Sequence, residues 1–382
     1  MTEKPQQSDP TVAIFVATSG HSGVDRLIGH LVPAIARRGY PVDVLKIHGH
    51  GPYFDEPPSG VRQIDLDTKH VYSSFAALVD YLKRYRPTVM LTDKDRVNRT
   101  VILARAWSRS ACRLVVSSGT TISIDLAHRG PFERLVQRTS MGHLYRLADE
   151  VIVPSKGVAD DMAAYTGLAR ERIDVIPCPV VSEDLFSVRQ SRPNHPWYQA
   201  GEPPVILGVG ELGPRKDFTT LIRAFAKLRN KRPCRLVIIG QGKEHHRLLA
   251  TARELGMAED VDLPGFVPNP YPYMAHAGLL AMTSRWEGLG FVLIEALAVG
   301  IPVVSTLCPS GPSEILDHGR YGQLVPIGDV DALAQAMAVT LTNPLPPAIL
   351  REAARPYEIE RSTTAYLKAM GLDPREPPTS SF

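Results

Sequence analysis

Short apolar runs alternate with amphipathic stretches along most of this chain. Val12–Ala17 is followed by a helical pattern over Asp25–Arg38 and then by a second apolar run, Val42–Ile47. Further apolar runs follow at Thr88–Thr92, Arg113–Ser117, Glu150–Pro154 and Arg172–Pro177. Strands separated by helices in this rhythm form a parallel sheet that is covered on both faces. The pattern therefore predicts an α/β fold built on parallel strands.

The same rhythm starts again in the second half of the chain. Its predicted strands are Val205–Val209, Arg235–Ile239, Val261–Leu263, Gly278–Met282 and Pro302–Ser305. Its predicted helices are Asp217–Asn230, Lys243–Leu255, Phe291–Val299 and Asp329–Leu341, with a last amphipathic stretch near Glu358–Met370. The stretch SVRQSRPNHPWYQAGEPP separates the two halves and, being polar and proline-rich, is typical of a linker.

Length and rhythm together predict two domains, because 382 residues exceed the ~100–200 of one ordinary domain. We predict an N-terminal Rossmann-like domain over residues 1–185, a linker over 186–203 and a C-terminal Rossmann-like domain over 204–355. A C-terminal helix within 356–382 is predicted to return to the N-terminal domain. Two doubly wound domains would face each other across a cleft, where ligands bind beyond the carboxyl ends of the strands.

Composition excludes several classes of function. A net charge of +3 is too small for a nucleic-acid-binding face. The cysteines (Cys112, Cys178, Cys234 and Cys308) have no paired spacing, which excludes a zinc knuckle and favours a reducing compartment. No stretch reaches the ~18 apolar residues of a membrane span. We therefore expect a cytoplasmic protein, at most peripheral on the inner membrane face, with no nucleic-acid partner.

The most informative motif is SRWEGLGFVLIEALAVGIPVV, which begins at Ser284. It places Gly288, Leu289 and Gly290 between a strand and a helix that starts near Phe291. The amides of Gly290, Phe291 and Val292 would then lack partners within the helix and could bind a phosphate or sugar hydroxyls.

Two glutamates frame this motif. Glu287 in the loop could accept hydrogen bonds from a sugar, and Glu295, one turn inside the helix, could bind a ribose diol. Spacing alone is equally compatible with Glu287 as an ordinary loop carboxylate and Glu295 as a solvated or capping one.

A second motif, GVGELGPRKDF, follows the strand Val205–Val209. Gly210 belongs to its flexible turn, and Arg215 and Lys216 stand directly before the next helix. A fixed cation there could neutralise a diphosphate leaving group. The alternative is a solvated pair, the usual situation of isolated basic residues. The motif is not a Walker loop, because no G-x4-G-K-[ST] pattern occurs.

These motifs, in this order, resemble the retaining glycosyltransferases of family 4, which have the two-domain GT-B fold. The resemblance extends from Val205 to Val325 and includes LVIIGQGKEHHRLLATARELG, LPGFVPN and CPSGPSEIL. It implies that this half holds a nucleotide sugar, most often a UDP-sugar, and that Lys216 contacts its diphosphate. Phe266 and Val267 fall in the loop that borders the base, and Glu287 and Glu295 fall on the family's paired glutamates.

The N-terminal half resembles the family more weakly. TSGHSGVDR fits the glycine-rich loop after the first strand, so that the amides at Ser22 and Gly23 could reach the donor phosphates. An ordinary βα turn explains the same residues. Two departures stand out: Glu211 replaces the family's usual arginine, and Gly119 stands where a histidine is usual. Ser118, Thr120 or Thr121 could hydrogen-bond there instead.

The resemblance implies transfer of a hexose or N-acetylhexosamine to a glycan or lipid-linked acceptor in surface polysaccharide biosynthesis, with retention of anomeric configuration. Lys216, Arg215 and the helix at Phe291 would stabilise the leaving diphosphate, while Glu287 would orient the sugar. No His, Asp or Glu set has metal-ligand spacing, so we expect no metal and no cofactor. The alternatives are a disaccharide phosphorylase or synthase, and a binding scaffold of the same fold that has lost transfer.

A basic and apolar stripe in the N-terminal half suggests membrane contact. Its cationic members are His128, Arg129, Arg134, Arg138, His143 and Arg146, and its apolar members are Phe132, Leu135, Val136, Met141 and Leu144. At helical spacing they could hold the domain against anionic lipid near a lipid-linked acceptor. The alternative is a surface helix that packs its apolar side on the sheet.

Overall fold

The computed structural model describes residues 10–376, apart from 19, 21, 55, 128, 184 and 186–191. The chain divides into two compact units. One comprises the chain up to Pro179 together with the segment from Ile359 onward, and the other is Val180–Glu358.

The first unit is built on a seven-stranded parallel sheet with the order β3-β2-β1-β4-β5-β6-β7. The strands are β1 (Val12–Phe15), β2 (Val42–Lys46), β3 (Val61–Asp65), β4 (Val89–Asp93), β5 (Arg113–Ser117), β6 (Glu150–Val153) and β7 (Ile173–Val175). The helices are α1 (Gly23–Arg37), α2 (Phe75–Tyr85), α3 (Asp95–Ser108), α4 (Ile122–Asp125), α5 (Pro131–Leu144) and α6 (Lys156–Thr166), with 3₁₀ turns at Tyr72–Ser74, Tyr145–Leu147 and Arg170–Arg172. Every residue of β1 and β4 is buried, as expected for parallel strands covered on both faces.

The second unit repeats this architecture with a six-stranded parallel sheet of order β10-β9-β8-β11-β12-β13. The strands are β8 (Val205–Val209), β9 (Arg235–Ile239), β10 (Val261–Gly265), β11 (Leu279–Met282), β12 (Val303–Thr306) and β13 (Gln323–Val325). The helices are α7 (Phe218–Arg229), α8 (His245–Glu254), α9 (Tyr271–His276), α10 (Phe291–Val299), α11 (Pro312–Ile315), α12 (Val330–Thr342) and α13 (Pro347–Ala354), with 3₁₀ turns at Pro196–Tyr198, Asp317–Gly319 and Arg355–Tyr357. The predicted class, α/β with two doubly wound Rossmann-like domains, is confirmed.

The chain returns to the first unit at its end. Helix α14 (Ile359–Ala369) packs on α1. The buried guanidinium of Arg38 pairs with the Glu360 carboxylate at 2.9 Å, and the Tyr40 hydroxyl donates to the carbonyl of Asp373 at 2.8 Å. These contacts attach the last helix to the sheet that begins the chain.

The segment predicted as a linker differs from that expectation. Residues 186–191 lie outside the described part of the chain, but 192–203 fold onto the second unit. His195 is buried, and its Nε2 lies 2.9 Å from the Asp262 carboxylate. Tyr198 is also buried and packs edge-on against Tyr273. These aromatic contacts hold the proline-rich segment on the second unit. The unit boundary itself lies between Pro179 and Val180, where the backbone N–H groups of Val180 and Val181 both donate to the carbonyl of Tyr357 at 2.9 Å.

Among the described residues, every helix is too short or too polar to traverse a lipid bilayer.

Candidate active site

Lys216 and Glu287 form a buried ion pair at the carboxyl edge of the second sheet. The Lys216 ammonium lies 2.6 Å from Oε1 of Glu287, and the two residues are 8% and 5% exposed. Lys216 belongs to the loop after β8 and Glu287 to the loop after β11, and these two strands pair in the sheet. Buried charges are tolerated when they are paired and hydrogen-bonded. Two of the predicted catalytic residues are therefore in direct contact.

Arg215 and Ser284 also donate hydrogen bonds to this carboxylate. The Arg215 guanidinium donates to Oε2 of Glu287 at 2.9 Å, and the Ser284 hydroxyl donates to Oε1 at 2.6 Å. Burial by itself raises the pKa of Glu287, but the charges of Lys216 and Arg215 and the hydrogen bonds from Lys216 and Ser284 outweigh it. The pKa of Glu287 therefore lies below its ordinary value, and the carboxylate stays ionised.

Hydroxyl groups from two strand ends fix the loops that carry these charges. Thr283 donates to the backbone carbonyl of Lys216 at 2.7 Å, and Thr306 donates to the carbonyl of Ser284 at 2.6 Å. The backbone N–H of Arg285 donates to the carbonyl of Arg215 at 2.8 Å. Sequence reasoning missed Thr283, Ser284 and Thr306. The available signal was a run of hydroxyl residues at the carboxyl ends of β11 and β12.

Gly210 makes room for the Lys216 side chain. Its φ of +154° is rare for residues with a Cβ, and a Cβ built there would lie 2.8 Å from the Lys216 Cε. The aliphatic stem of the lysine thus packs directly on the glycine backbone. Any larger residue would displace the ammonium from Glu287.

The start of α10 lies next to this cluster in the chain. Gly290, with φ +99°, directly precedes the first helical residue, Phe291. Leu289 and Val292 are buried, Gly288 is partly exposed and Phe291 is half-buried. The helix therefore begins at the predicted residue, Phe291. First-turn amides have no acceptor within their own helix, and anion binding by the amides of Gly290, Phe291 and Val292 stays a prediction.

Glu295 is fully buried on α10, one turn after its start. The hydroxyl of Tyr271, the first residue of α9, donates to its Oε1 at 3.3 Å. Phe266 and Val267 directly follow β10, with Phe266 exposed and Val267 partly exposed, and their loop leads into α9. Tyr271 thus connects the loop predicted to border the base with the residue predicted to bind the ribose. Sequence reasoning did not identify Tyr271.

Ser22 and Gly23 lie in the first unit, at the start of α1. Ser22 caps the helix, and its backbone N–H donates to the Asp25 carboxylate at 2.7 Å, while Thr18 bonds the other oxygen of that carboxylate. This reciprocal arrangement is a capping box. The Ser22 amide is therefore already engaged by Asp25. Ser19 and His21, from the same loop, lie outside the described residues.

The two departures from the family pattern lie at the surface. Glu211 is exposed, and within the described part of the chain Arg215 and Lys216 pair with Glu287 rather than with it. Gly119 is exposed in the loop after β5, where an added Cβ would lie 4.0 Å from Val24 of α1. Ser118 and Thr121 beside it are buried, and Thr120 is partly exposed.

In the described portion of the molecule, no group of three or more His, Cys, Asp or Glu side chains is arranged to hold a metal ion. The expectation of metal independence stays a prediction.

Two family models match the chain. The model described as Glycosyltransferase Family 4 matches residues 21–184, and the one described as Glycosyl transferases group 1 matches residues 193–357. The chain is 29% identical over 342 residues to an N-acetylgalactosamine-N,N'-diacetylbacillosaminyl-diphospho-undecaprenol 4-alpha-N-acetylgalactosaminyltransferase of Campylobacter jejuni, covering 87% of this chain and 90% of that protein. It is 28% identical to the lipopolysaccharide core biosynthesis glycosyltransferase LpsE of Rhizobium meliloti, covering 92% and 96%.

Solved structures share the two-domain architecture. The lipopolysaccharide outer core galactosyltransferase WaaB superposes with a TM-score of 0.74 at 20% identity, covering 94% of this chain and 99% of that one. HepE from Anabaena, solved in complex with UDP, superposes with a TM-score of 0.75 at 18% identity and the same coverage. At these identities the likeness concerns the fold.

Proposed function

This chain is a GT-B glycosyltransferase of the family 4 type, and we propose that it transfers a hexose or N-acetylhexosamine from a UDP-sugar to a glycan or lipid-linked acceptor. The proposed role is in surface polysaccharide biosynthesis. The name of the Rhizobium relative supports this role, and the name of the Campylobacter relative supports a lipid-linked acceptor. The UDP bound in the Anabaena structure supports the nucleotide.

The observation that carries the proposal is the Lys216–Glu287–Arg215 cluster beside the start of α10. Transfer breaks the bond between the anomeric carbon and a diphosphate oxygen, so negative charge builds on the leaving group. Preorganised cations and first-turn amides stabilise such charge without reorganising during the reaction. Glu287 holds both cations, because each of its oxygens contacts one of them.

Retention follows if the acceptor oxygen attacks from the side on which the diphosphate departs. The acceptor's proton then passes to a donor phosphate oxygen, so a protein base is not required. In this scheme Glu295 binds the ribose, Phe266 and Val267 border the base, and Glu287 also orients the sugar ring. Gly288 and Gly290 carry no side chain, so the backbone there can approach the donor closely, while Gly210 leaves room for the Lys216 side chain.

A lipid-linked acceptor places the enzyme at the cytoplasmic face of the inner membrane, with peripheral contact through the first unit. We further propose that no metal or cofactor is needed, because the leaving group is stabilised by amides and cations.

The test is turnover of defined donors by the purified chain. UDP release is measured with UDP-N-acetylgalactosamine, UDP-N-acetylglucosamine, UDP-galactose and UDP-glucose, with GDP-mannose as the nucleotide control. We expect slow hydrolysis of at least one UDP-sugar, releasing the α-configured sugar first, as seen by NMR before mutarotation. No turnover of any UDP-sugar, or initial release of the β anomer, would contradict the proposal.

A further inference from the structure

The first two turns of α5 expose an apolar cluster. Phe132, Leu135 and Val136 are 79%, 60% and 46% exposed. Single exposed apolar residues are ordinary, but three neighbours at helical spacing form a patch of the kind that marks interaction sites. Tyr165 donates to the carbonyl of Arg134 and holds the helix in place, yet these three side chains stay at the surface.

The same helix face continues into a basic pocket. A cavity of about 220 Å³ is lined by Leu135, Arg138, Gly142, His143, Arg146 and Thr166. Gly142 shapes its floor, because a Cβ there would lie 2.4 Å from the carbonyl oxygen of Thr166. The absence of a side chain therefore lets α5 approach the end of α6 closely. Leu135 belongs both to the apolar patch and to the pocket, so the two features are continuous.

The positive charge of this face is not compensated by nearby carboxylates. Within the described residues, Arg134, Arg138 and Arg146 form no ion pair, whereas Arg129 pairs with Glu133 at 3.0 Å and Arg99 with Asp95 at 2.7 Å. In the part of the chain that the structure describes, Arg146 donates only to the backbone carbonyl of Gly167, at 3.5 Å. Arginines without a carboxylate partner beside exposed apolar residues match the interface of an anionic bilayer, which offers phosphate groups above an apolar layer.

We propose that the α5 face from Phe132 to Arg146 docks on an anionic membrane. The apolar patch enters the lipid interface, and the Arg138–Arg146 pocket receives a headgroup phosphate. This inference rests on the proposed function for the membrane contact itself, and it identifies the surface that makes that contact. The occupant is lipid rather than free phosphate, since free phosphate gives no partner to Phe132, Leu135 and Val136.

The structure revises the stripe predicted from the sequence. Met141 is buried and Leu144 is partly buried, so they pack inward rather than toward solvent. Arg129 is engaged by Glu133, and His128 lies outside the described residues. The docking surface is thus narrower than the predicted stripe, and Gly142 and Thr166 are additions that spacing did not suggest.

The first experiment measures co-sedimentation of the full chain with vesicles. Phosphatidylcholine vesicles are compared with vesicles that also contain phosphatidylglycerol, at low and high salt. We expect binding to the anionic vesicles alone, release by salt, and at least about 25-fold weaker partition for the double variant Arg138→Glu and Arg146→Glu, at about fivefold per cation. The matched control is Arg253→Glu, an exposed charge reversal on α8 that should leave partition unchanged.

The second experiment reports insertion. All native cysteines are buried, so a thiol-reactive fluorophore should label the Phe132→Cys variant at position 132 alone. We expect a blue shift with anionic vesicles and none with millimolar inorganic phosphate. The control label is Val339→Cys, an exposed apolar position on α12 that should not respond.

Three results would overturn the inference: no sedimentation with anionic vesicles at low salt, equal loss of binding in Arg253→Glu, or an unshifted label at position 132. Donor hydrolysis without vesicles separates the two proposals. Vesicle binding by a chain that turns over no UDP-sugar would refute the proposed reaction and leave the docking surface standing. Turnover without vesicle binding would refute the surface alone.

Discussion

The hydroxyl of Ser284 donates to the same Glu287 oxygen that receives the ammonium of Lys216, each at 2.6 Å. Ser284 is completely buried, so this bond is shielded from water. A carboxylate that accepts two donors on one oxygen is fixed in orientation as well as in charge. The position of the cation pair therefore depends on a neutral side chain that has no direct part in the chemistry.

Replacing Ser284 by alanine tests this dependence. Loss of a hydrogen bond to a charged group should lower turnover ~10–100-fold. The acid limb of the pH–rate profile should move to higher pH, because the bond from Ser284 helps to keep the pKa of Glu287 low. The titratable groups near this carboxylate include Lys216, Arg215 and the Cys308 thiol. Burial raises the pKa of Cys308 to about 12, so that thiol stays neutral.

Ser305→Ala is the matched control for that variant. Ser305 is equally buried, but its hydroxyl donates to the carbonyl of Thr306 at 3.0 Å and does not reach the cluster. If Ser284→Ala and Ser305→Ala have the same turnover and the same acid limb, the hydrogen bond from Ser284 affects neither the rate nor the pKa of Glu287.

Lys216→Ala should lower turnover at least ~100-fold, because it removes a preorganised charge at the leaving group. UDP release at saturating donor measures the effect, and circular dichroism checks folding. Lys231→Ala, an exposed lysine of the same unit, should turn over normally. A folded Lys216→Ala protein with a near-normal rate would remove this residue from the mechanism.

Sequence patterns predicted every inner strand of both sheets but only two of the four edge strands, β7 and β10. β8 is buried throughout and was predicted with its observed bounds, Val205–Val209. The edge strands β3 and β13 were missed, because partly exposed positions mix polar and apolar residues and leave no clear apolar run.

The site was predicted as separate residues rather than as one cluster. Lys216 and Glu287 were each identified, but their contact depends on β8 and β11 being neighbours in the sheet. Strand order is a tertiary property that local pattern does not contain. The hydroxyl groups of Thr283 and Thr306 escaped notice for the same reason, since their acceptors lie in other loops.

Activity should survive EDTA, because the proposed phosphate site consists of amides and cations. The assay is UDP release before and after incubation with the chelator, with added magnesium as the comparison. Complete loss that a divalent ion restores would show that the proposed reaction needs a metal.

Glu287→Gln should destabilise the second unit and make its stability less dependent on pH. The substitution keeps the shape of the side chain but leaves Lys216 buried without its counter-charge, which costs about 3 kcal/mol at neutral pH. The pKa of Glu287 is lowered by folding, so its contribution is present above the ordinary carboxyl range and is lost as the pH falls through the lowered value. Denaturant titrations of wild type and variant should therefore differ at pH 7 and approach each other only as the pH falls below the ordinary glutamate pKa of ~4.3. Glu254→Gln, an exposed glutamate on α8, should match wild type throughout. An unchanged unfolding free energy in Glu287→Gln at pH 7 would show that the ion pair does not stabilise the fold.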